Sequence, residues 1–249
     1  MIINYGFDTI SADLRSVVTI GSFDGVHSGH KVLLSALKQM AHSLNAESVV
    51  VTFDPHPRIA MGRADGMGLL TTIEERALLL EREGIDRMVI ARFDENFRGQ
   101  PYDVFVRDSL VTKLGMVGMI VGYNHRLGRG NEGNYSSLQP LASECGFELE
   151  MVSQHLVDGA KISSTVVREV MKMGDMREVA HLLNQRYLIV GEAKSGVVTI
   201  TDSYKLLPAS GIYDADITYN NIRYSAKIEV ADRMVVLPTN ICGRVVVEL

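Results

Sequence analysis

The chain is poor in the features that mark secreted, membrane or nucleic-acid proteins. Only two cysteines occur, Cys145 and Cys242, far apart and without C-x-x-C or Cys/His spacing. Neither a disulfide framework nor a zinc module is indicated, and a reducing compartment fits. Long hydrophobic runs are missing too. The longest nearly uncharged apolar stretch, LGMVGMIVG from Leu114 to Gly122, falls well short of the roughly 18 residues that a membrane-crossing helix needs. The first residues, MIINYGFDTISADLR, have neither a basic start nor an apolar run with a small-residue cleavage site, so they do not read as a signal peptide. A cytoplasmic protein without membrane association is the expectation. There is no basic excess either: net charge is −5, the acidic surplus lies wholly before residue 186, and a nucleic-acid partner is not expected because no basic face is available to displace counterions.

What is present is an ordinary globular composition, 46% hydrophobic and 22% charged over 249 residues. Short β-rich runs at 17–21, 48–54, 86–93, 116–122 and 147–152 alternate with helical patterns. That order predicts a parallel sheet covered by helices. Leu33, Leu37, Met40 and Leu44 recur at helical spacing and predict one apolar face of a helix over 29–43. Thr71 with Glu74 reads as a capping box opening a helix that stops near Gly84, and Pro101 suits the first position of another. Gly174, then Asp175 with Glu178, separates a helical pair over 164–173 and 176–185. From Tyr187 the pattern changes to Val-, Ile-, Thr- and Tyr-rich strands with turns at Pro208 and Asn220-Asn221, which predicts a small antiparallel barrel or sandwich. The expected fold is therefore α/β, a Rossmann-like domain over 1–185 followed by a β domain over 186–249.

The strongest chemical signal is GSFDGVHSGH, residues 21–30, lying directly after an apolar strand and directly before an amphipathic helix. Glycines and a helix start place backbone N–H groups and the positive end of a helix dipole together, which suits phosphate. His27 and His30 add side-chain donors able to neutralise charge. A zinc reading fails for want of third and fourth ligands nearby. A second anion-suited helix start is KISSTVVR, residues 161–168, where Ser163, Ser164 and Thr165 offer hydroxyls and Arg168 lies one turn along; for Ser163, simple capping is the rival reading. Gly128 to Gly133 fits G-x-G-x-x-G, but it begins six residues beyond the strand end, where a dinucleotide fingerprint would begin on it.

These segments carry a resemblance. GSFDGVHSGH resembles the signature of the HxGH nucleotidyltransferase superfamily. With VTFDPHP (51–57), GIDRMVIARF (84–93), VGYNHRLGRGNEG (121–133) and KISSTVVREVMKMGDMREVAHLLNQRY (161–187), the chain resembles the bacterial bifunctional riboflavin kinase/FAD synthetase family over about residues 15–195. The resemblance implies a Rossmann-like nucleotidyltransferase domain that transfers AMP from ATP to FMN, giving FAD and pyrophosphate, with Mg2+ accompanying ATP. It implies catalytic roles for His27, His30 and Arg168. It implies substrate contacts from Gly21, Ser22, Phe23, Asp24, Pro55, His56, Asn124, Lys161, Ser164 and Thr165, with Asp65 a further candidate. His125 and Leu127 depart from the family, which commonly has phenylalanines there. The second domain departs more: the kinase motif G-x-P-T-A-N is missing, Pro238-Thr239-Asn240 comes too late in the chain to replace it, and a β domain without riboflavin kinase activity is expected. Two other readings stay open at this point: transfer of AMP or CMP to a different phosphorylated acceptor, and a non-catalytic flavin or nucleotide binder.

Overall fold

The computed structural model describes residues 1–249 except Ala12 and Asp65. Six strands form one wholly parallel sheet: β1 (Ile2–Tyr5), β2 (Ser16–Ile20), β3 (Glu47–Asp54), β4 (Arg87–Arg92), β5 (Met116–Gly122) and β6 (Glu148–Val152). Their order is β1-β4-β3-β2-β5-β6. The central strands are almost continuously apolar because both faces of a parallel sheet are covered; every residue of β2 is buried. The edge strand β1 is largely exposed, and with no burial pattern it left no trace in the sequence reading.

The helix after β2 spans Ser28–Ser43 and buries Leu34, Leu37, Met40 and Ala41. Its apolar face is therefore turned slightly from the expected one: Leu34 is fully enclosed and Leu33 only partly. The helix Ile73–Arg82 is opened by a capping box one residue later than expected. Thr72 N–H donates to Glu75 at 2.8 Å and Glu75 N–H donates to Thr72 Oγ1 at 3.2 Å. Pro101 precedes its helix as the N-cap. The helical pair is Ser164–Lys172 and Met176–Leu183, the second capped by Asp175 accepting from Glu178 N–H.

A two-stranded hairpin, β7 (Leu156–Val157) with β8 (Ala160–Lys161), leads into that pair. The C-terminal strands are β9 (Leu188–Lys194), β10 (Val197–Thr199), β11 (Gly211–Tyr219), β12 (Ile222–Ala231), β13 (Met234–Val236) and β14 (Gly243–Glu248). They close into an antiparallel barrel ordered β10-β13-β12-β11-β14-β9, so of the two expected all-β forms the barrel is the one found. Its interior is filled by alternate residues such as Ala215, Ile217, Ile228, Val230, Val245 and Val247, the period-2 pattern that the sequence shows.

Contacts divide the chain into two compact units. One comprises Met1–Phe23, Gly29–Asp65 and Ala77–Leu156; the other comprises Asp24–Ser28, Gly66–Arg76 and Val157–Leu249. The second helix of the pair ends at Leu183 and β9 begins at Leu188. In the compact division the helical pair and two short insertions from the N-terminal part belong to the barrel unit.

Candidate functional site

The strand order reverses at β2, whose neighbours are β3 and β5. In open parallel sheets ligands bind outside the carboxyl ends of the strands at such a switch point. GSFDGVHSGH begins at the carboxyl end of β2, so the fold puts it where a ligand is received. The motif is shared between the units: Gly21–Phe23 and Gly29–His30 belong to the sheet unit, Asp24–Ser28 to the barrel unit.

In the sheet unit, Gly21 N–H donates to Val51 O at 3.1 Å and Ser22 O accepts from Thr52 Oγ1 at 3.2 Å. Phe23, expected at the substrate, is only 2% exposed. Its ring covers Gly21, where an added Cβ would lie 3.1 Å from Phe23 Cε2, and it meets the His30 ring at a centroid distance of 4.9 Å. The Phe23 side chain therefore packs between Gly21 and the His30 ring. His56 is buried and its Nδ1 accepts from Arg58 N–H at 3.2 Å, capping the turn Pro57–Ala60 after the cis Asp54-Pro55 bond; Pro55 is exposed.

Beside Gly21 opens a cavity of about 360 Å³ in the sheet unit. Phe53, Phe93, Phe97 and Phe105 wall it, with Phe97 in edge-to-face contact with Phe53 at 5.6 Å and with Phe105 at 5.1 Å. His125 and Leu127, from the loop after β5, line it; Asn124 is exposed and is not among the lining residues. Arg126, Gly128, Gly130 and Asn131 of the same loop line it as well. The His125 Nε2 is closed off from water and has no hydrogen-bond partner among the described residues. Burial, reinforced by the neighbouring Arg126 charge, pushes the imidazole down to about 4. Between the ordinary histidine value near 6.5 and that value, the unfolded chain binds a proton that the folded chain does not. The stability this group allows is therefore complete above about pH 6.5 and declines on acidification toward pH 4, by on the order of 3 kcal/mol. Urea midpoints at pH 7.5 and 4.5 should show a smaller acid loss in His125→Phe than in wild type; an equal loss in both would contradict this.

In the barrel unit, Asp24 is fully buried and its carboxylate is occupied within the fold. It accepts from Leu70 N–H at 3.1 Å, from Thr71 N–H at 2.9 Å and from Thr71 Oγ1 at 3.1 Å, and it forms an ion pair with Arg168. Arg168 is only 6% exposed and also donates from Nε to Gly68 O at 2.7 Å. In this structure the Asp24 carboxylate faces Arg168, Leu70 and Thr71, and Arg168 directs its guanidinium at Asp24 and at Gly68 O. Ser164 Oγ donates to Asp24 O at 2.9 Å, Gly25 N–H to Thr71 Oγ1 at 3.1 Å and Gln185 Nε2 to Gly25 O at 3.2 Å. These bonds hold an unusual backbone. Phe23 and the buried Val26 have φ of 46° and 42°, a region that a β-branched residue enters only where its surroundings impose it. Gly25, at φ 84°, has no room for a side chain, since an added Cβ would lie 2.7 Å from Leu70.

His27 is 7% exposed and His30 half-buried. Ser163 caps its helix by accepting from Val166 N–H at 3.4 Å, the capping reading. Thr165 and Lys161 are exposed. Neither this helix nor Ser28–Ser43 has an acidic residue in its first turn, so both N-terminal fields are open to an anion. Asp65 lies outside the described residues. Among the described residues no group of three or more His, Cys, Asp or Glu could hold a metal. The G-x-G-x-x-G decoy is resolved by packing: Gly128, at φ 74°, lies against Tyr102, where an added Cβ would be 2.6 Å from its backbone N. A 3-10 turn, Arg129–Asn131, follows, whereas a dinucleotide site has a helix start there.

Among the buried charges that the sequence does not reveal are Glu75 and Lys205, both 0% exposed. Charged side chains in amphipathic patterns read as solvent-facing, so no sequence signal separated these from their neighbours.

A family model described as FAD synthetase matches residues 9–166, well over half of the chain. The chain belongs to the FAD synthetase family. Relatives within that family include the bifunctional riboflavin kinase/FMN adenylyltransferase of Haemophilus influenzae, 32% identical over 72% of this chain and 58% of its own length. That of Escherichia coli K12 is likewise 32% identical, over 72% and 58%. A putative bifunctional riboflavin kinase/FMN adenylyltransferase of Geobacillus thermodenitrificans is 36% identical over 68% of this chain and 89% of its own length. The match to the first two thus spans little more than half of those proteins. The fold, barrel included, is shared with a crystal structure described as a macrolide-efflux protein from Streptococcus pneumoniae. The TM-score is 0.84 at 22% identity, covering 99% of this chain and 88% of that one. No helix among the described residues is long and apolar enough to cross a membrane.

Proposed function

We propose that this FAD synthetase family member is an FMN adenylyltransferase, converting ATP and FMN to FAD and pyrophosphate. The observation that carries the reading is the aromatic-walled cavity opening beside Gly21, at the start of a phosphate-suited strand-to-helix turn. A flat apolar ring system such as isoalloxazine suits walls of phenylalanine edges and faces, and the adjoining N–H groups suit the phosphates. In the reaction an FMN phosphate oxygen attacks the α-phosphorus of ATP in line. One O–P bond forms, the bond from the α-phosphorus to the bridging oxygen breaks, and pyrophosphate leaves. Positioning and charge stabilisation carry such a reaction.

His27, His30 and the N–H groups opening the helix Ser28–Ser43 are the donors we assign to the phosphates; Thr165 and Lys161 are exposed in the barrel unit and remain substrate-binding candidates there. Arg168 acts in this scheme through Asp24, as does the Ser164 hydroxyl through Asp24 O. Mg2+ arriving on ATP would neutralise phosphate charge, with few direct protein ligands; the buried Asp24 is already fully engaged.

We infer further that the barrel has lost riboflavin kinase activity, because no Pro-Thr-Ala-Asn segment occurs and Pro238-Thr239-Asn240 lies in the loop between β13 and β14. Purified protein incubated with riboflavin, ATP and Mg2+ should form no FMN. FMN accumulating over enzyme-free controls would overturn this.

A further inference from the structure

The barrel unit, without a kinase motif, still holds the fully buried pair Lys205 and Glu75, and what the pair holds is the segment that supports the turn. Lys205 Nζ donates to Glu75 Oε2 at 2.6 Å, to Leu70 O at 2.8 Å and to Leu188 O at 2.7 Å, so its three protons all have partners. It also lies 4.2 Å from the centroid of the Tyr187 ring. Glu75 Oε1 accepts from Val190 N–H at 2.9 Å, and Oε2 also accepts from Thr72 N–H at 2.8 Å. Leu69 and Leu206 continue the seam: Leu69 N–H donates to Tyr204 O at 2.6 Å and Leu206 N–H to Leu69 O at 2.8 Å. One side of residues 68–75 is thus fastened to β9 and to the chain entering β11.

Its other side holds Asp24. The two sides meet in a single peptide group, the one joining Leu70 to Thr71. Its C=O accepts from Lys205, and its N–H donates to Asp24 at 2.9 Å. A cation at the oxygen and a carboxylate at the hydrogen polarise that group in the same sense, which strengthens both bonds in a low-dielectric interior. Asp24 in turn sits inside the turn whose Phe23 and Val26 backbones are held at φ 46° and 42°.

We propose that Lys205 is a positioning residue for adenylyl transfer, fixing the Leu70–Thr71 peptide and through it Asp24 and the turn that carries His27. The inference rests on the adenylyltransferase reading and gives the kinase-less barrel a task within it. A buried ion pair is a poor source of net stability, and uncharged replacements of similar volume are commonly tolerated. What Met cannot supply is the donor to Leu70 O.

The test compares wild type with Lys205→Met/Glu75→Gln, which leaves no lone charge buried, and with the exposed barrel control Lys227→Met. Thermal unfolding by circular dichroism identifies a temperature at which all three are folded. There the double variant should lose about 10- to 100-fold in kcat with little change in KM for FMN, and amide exchange at Gly25 and Thr71 should quicken while exchange in β3 and β5 stays as in wild type. Lys227→Met should match wild type in every readout. Wild-type kcat in the folded double variant overturns the proposal, as does unchanged exchange at Gly25 and Thr71. If that double variant does not fold, the apolar pair Lys205→Met/Glu75→Leu, which also leaves no lone charge buried, decides by Gly25 and Thr71 exchange read below its unfolding temperature, with unchanged exchange overturning the proposal. Wild-type protein that makes no FAD defeats the adenylyltransferase reading, and with it Lys205's part in catalysis, whereas an active wild type matched by the variant defeats the positioning role alone.

Discussion

Replacing His30 by alanine is expected to lower FAD formation about 10²- to 10³-fold in kcat, the usual loss when one preorganised donor to a developing charge is removed. The structure gives the reason for its leverage. His30 lies in the first turn of the helix Ser28–Ser43, where the N-terminal field already favours an anion and no acidic side chain competes. Its ring is oriented by Phe23, itself closed over Gly21. Little reorganisation is needed when charge develops beside it. The loss should appear in kcat with unfolding unchanged, since a half-buried ring at a helix start bears little of the core. Turnover within a few-fold of wild type would remove His30 from the mechanism.

The second large effect concerns stability. Asp24→Asn removes the charge facing Arg168, an arginine only 6% exposed, and is expected to reduce unfolding free energy by about 3–5 kcal/mol, the range for a buried pair broken on one side. The amide would also present an N–H₂ group to donors that now meet a carboxylate. Adding Arg168→Met should recover much of the stability, because no lone buried charge remains, while FAD formation stays low because the turn is no longer held. Denaturant unfolding of wild type and the two variants measures this. A loss below about 1 kcal/mol for Asp24→Asn would mean that the pair is not desolvated as the structure has it.

Much of the fold could be read from sequence because β2 to β5 are buried on both faces and are therefore near-continuously apolar. β1 escaped because an exposed edge strand carries no such pattern. The helix-opening box was misplaced by one residue for a tertiary reason: Thr71 has its hydroxyl on Asp24 and Gly25, leaving Thr72 to cap. The turn itself was legible, since glycine spacing and histidines are local. The assignments within it were not. Whether a motif carboxylate meets a ligand or the chain depends on partners such as Leu70, Thr71 and Arg168, far away in sequence, and the Lys205–Glu75 pair depends on them entirely.

The most direct measurement is product analysis with ATP labelled at the α-phosphate, FMN and Mg2+. The label should move into FAD, with pyrophosphate released in equal amount, and His30→Ala should depress both together. Label retained on ATP in a bound complex, or transferred to an acceptor other than FMN, would contradict the assignment.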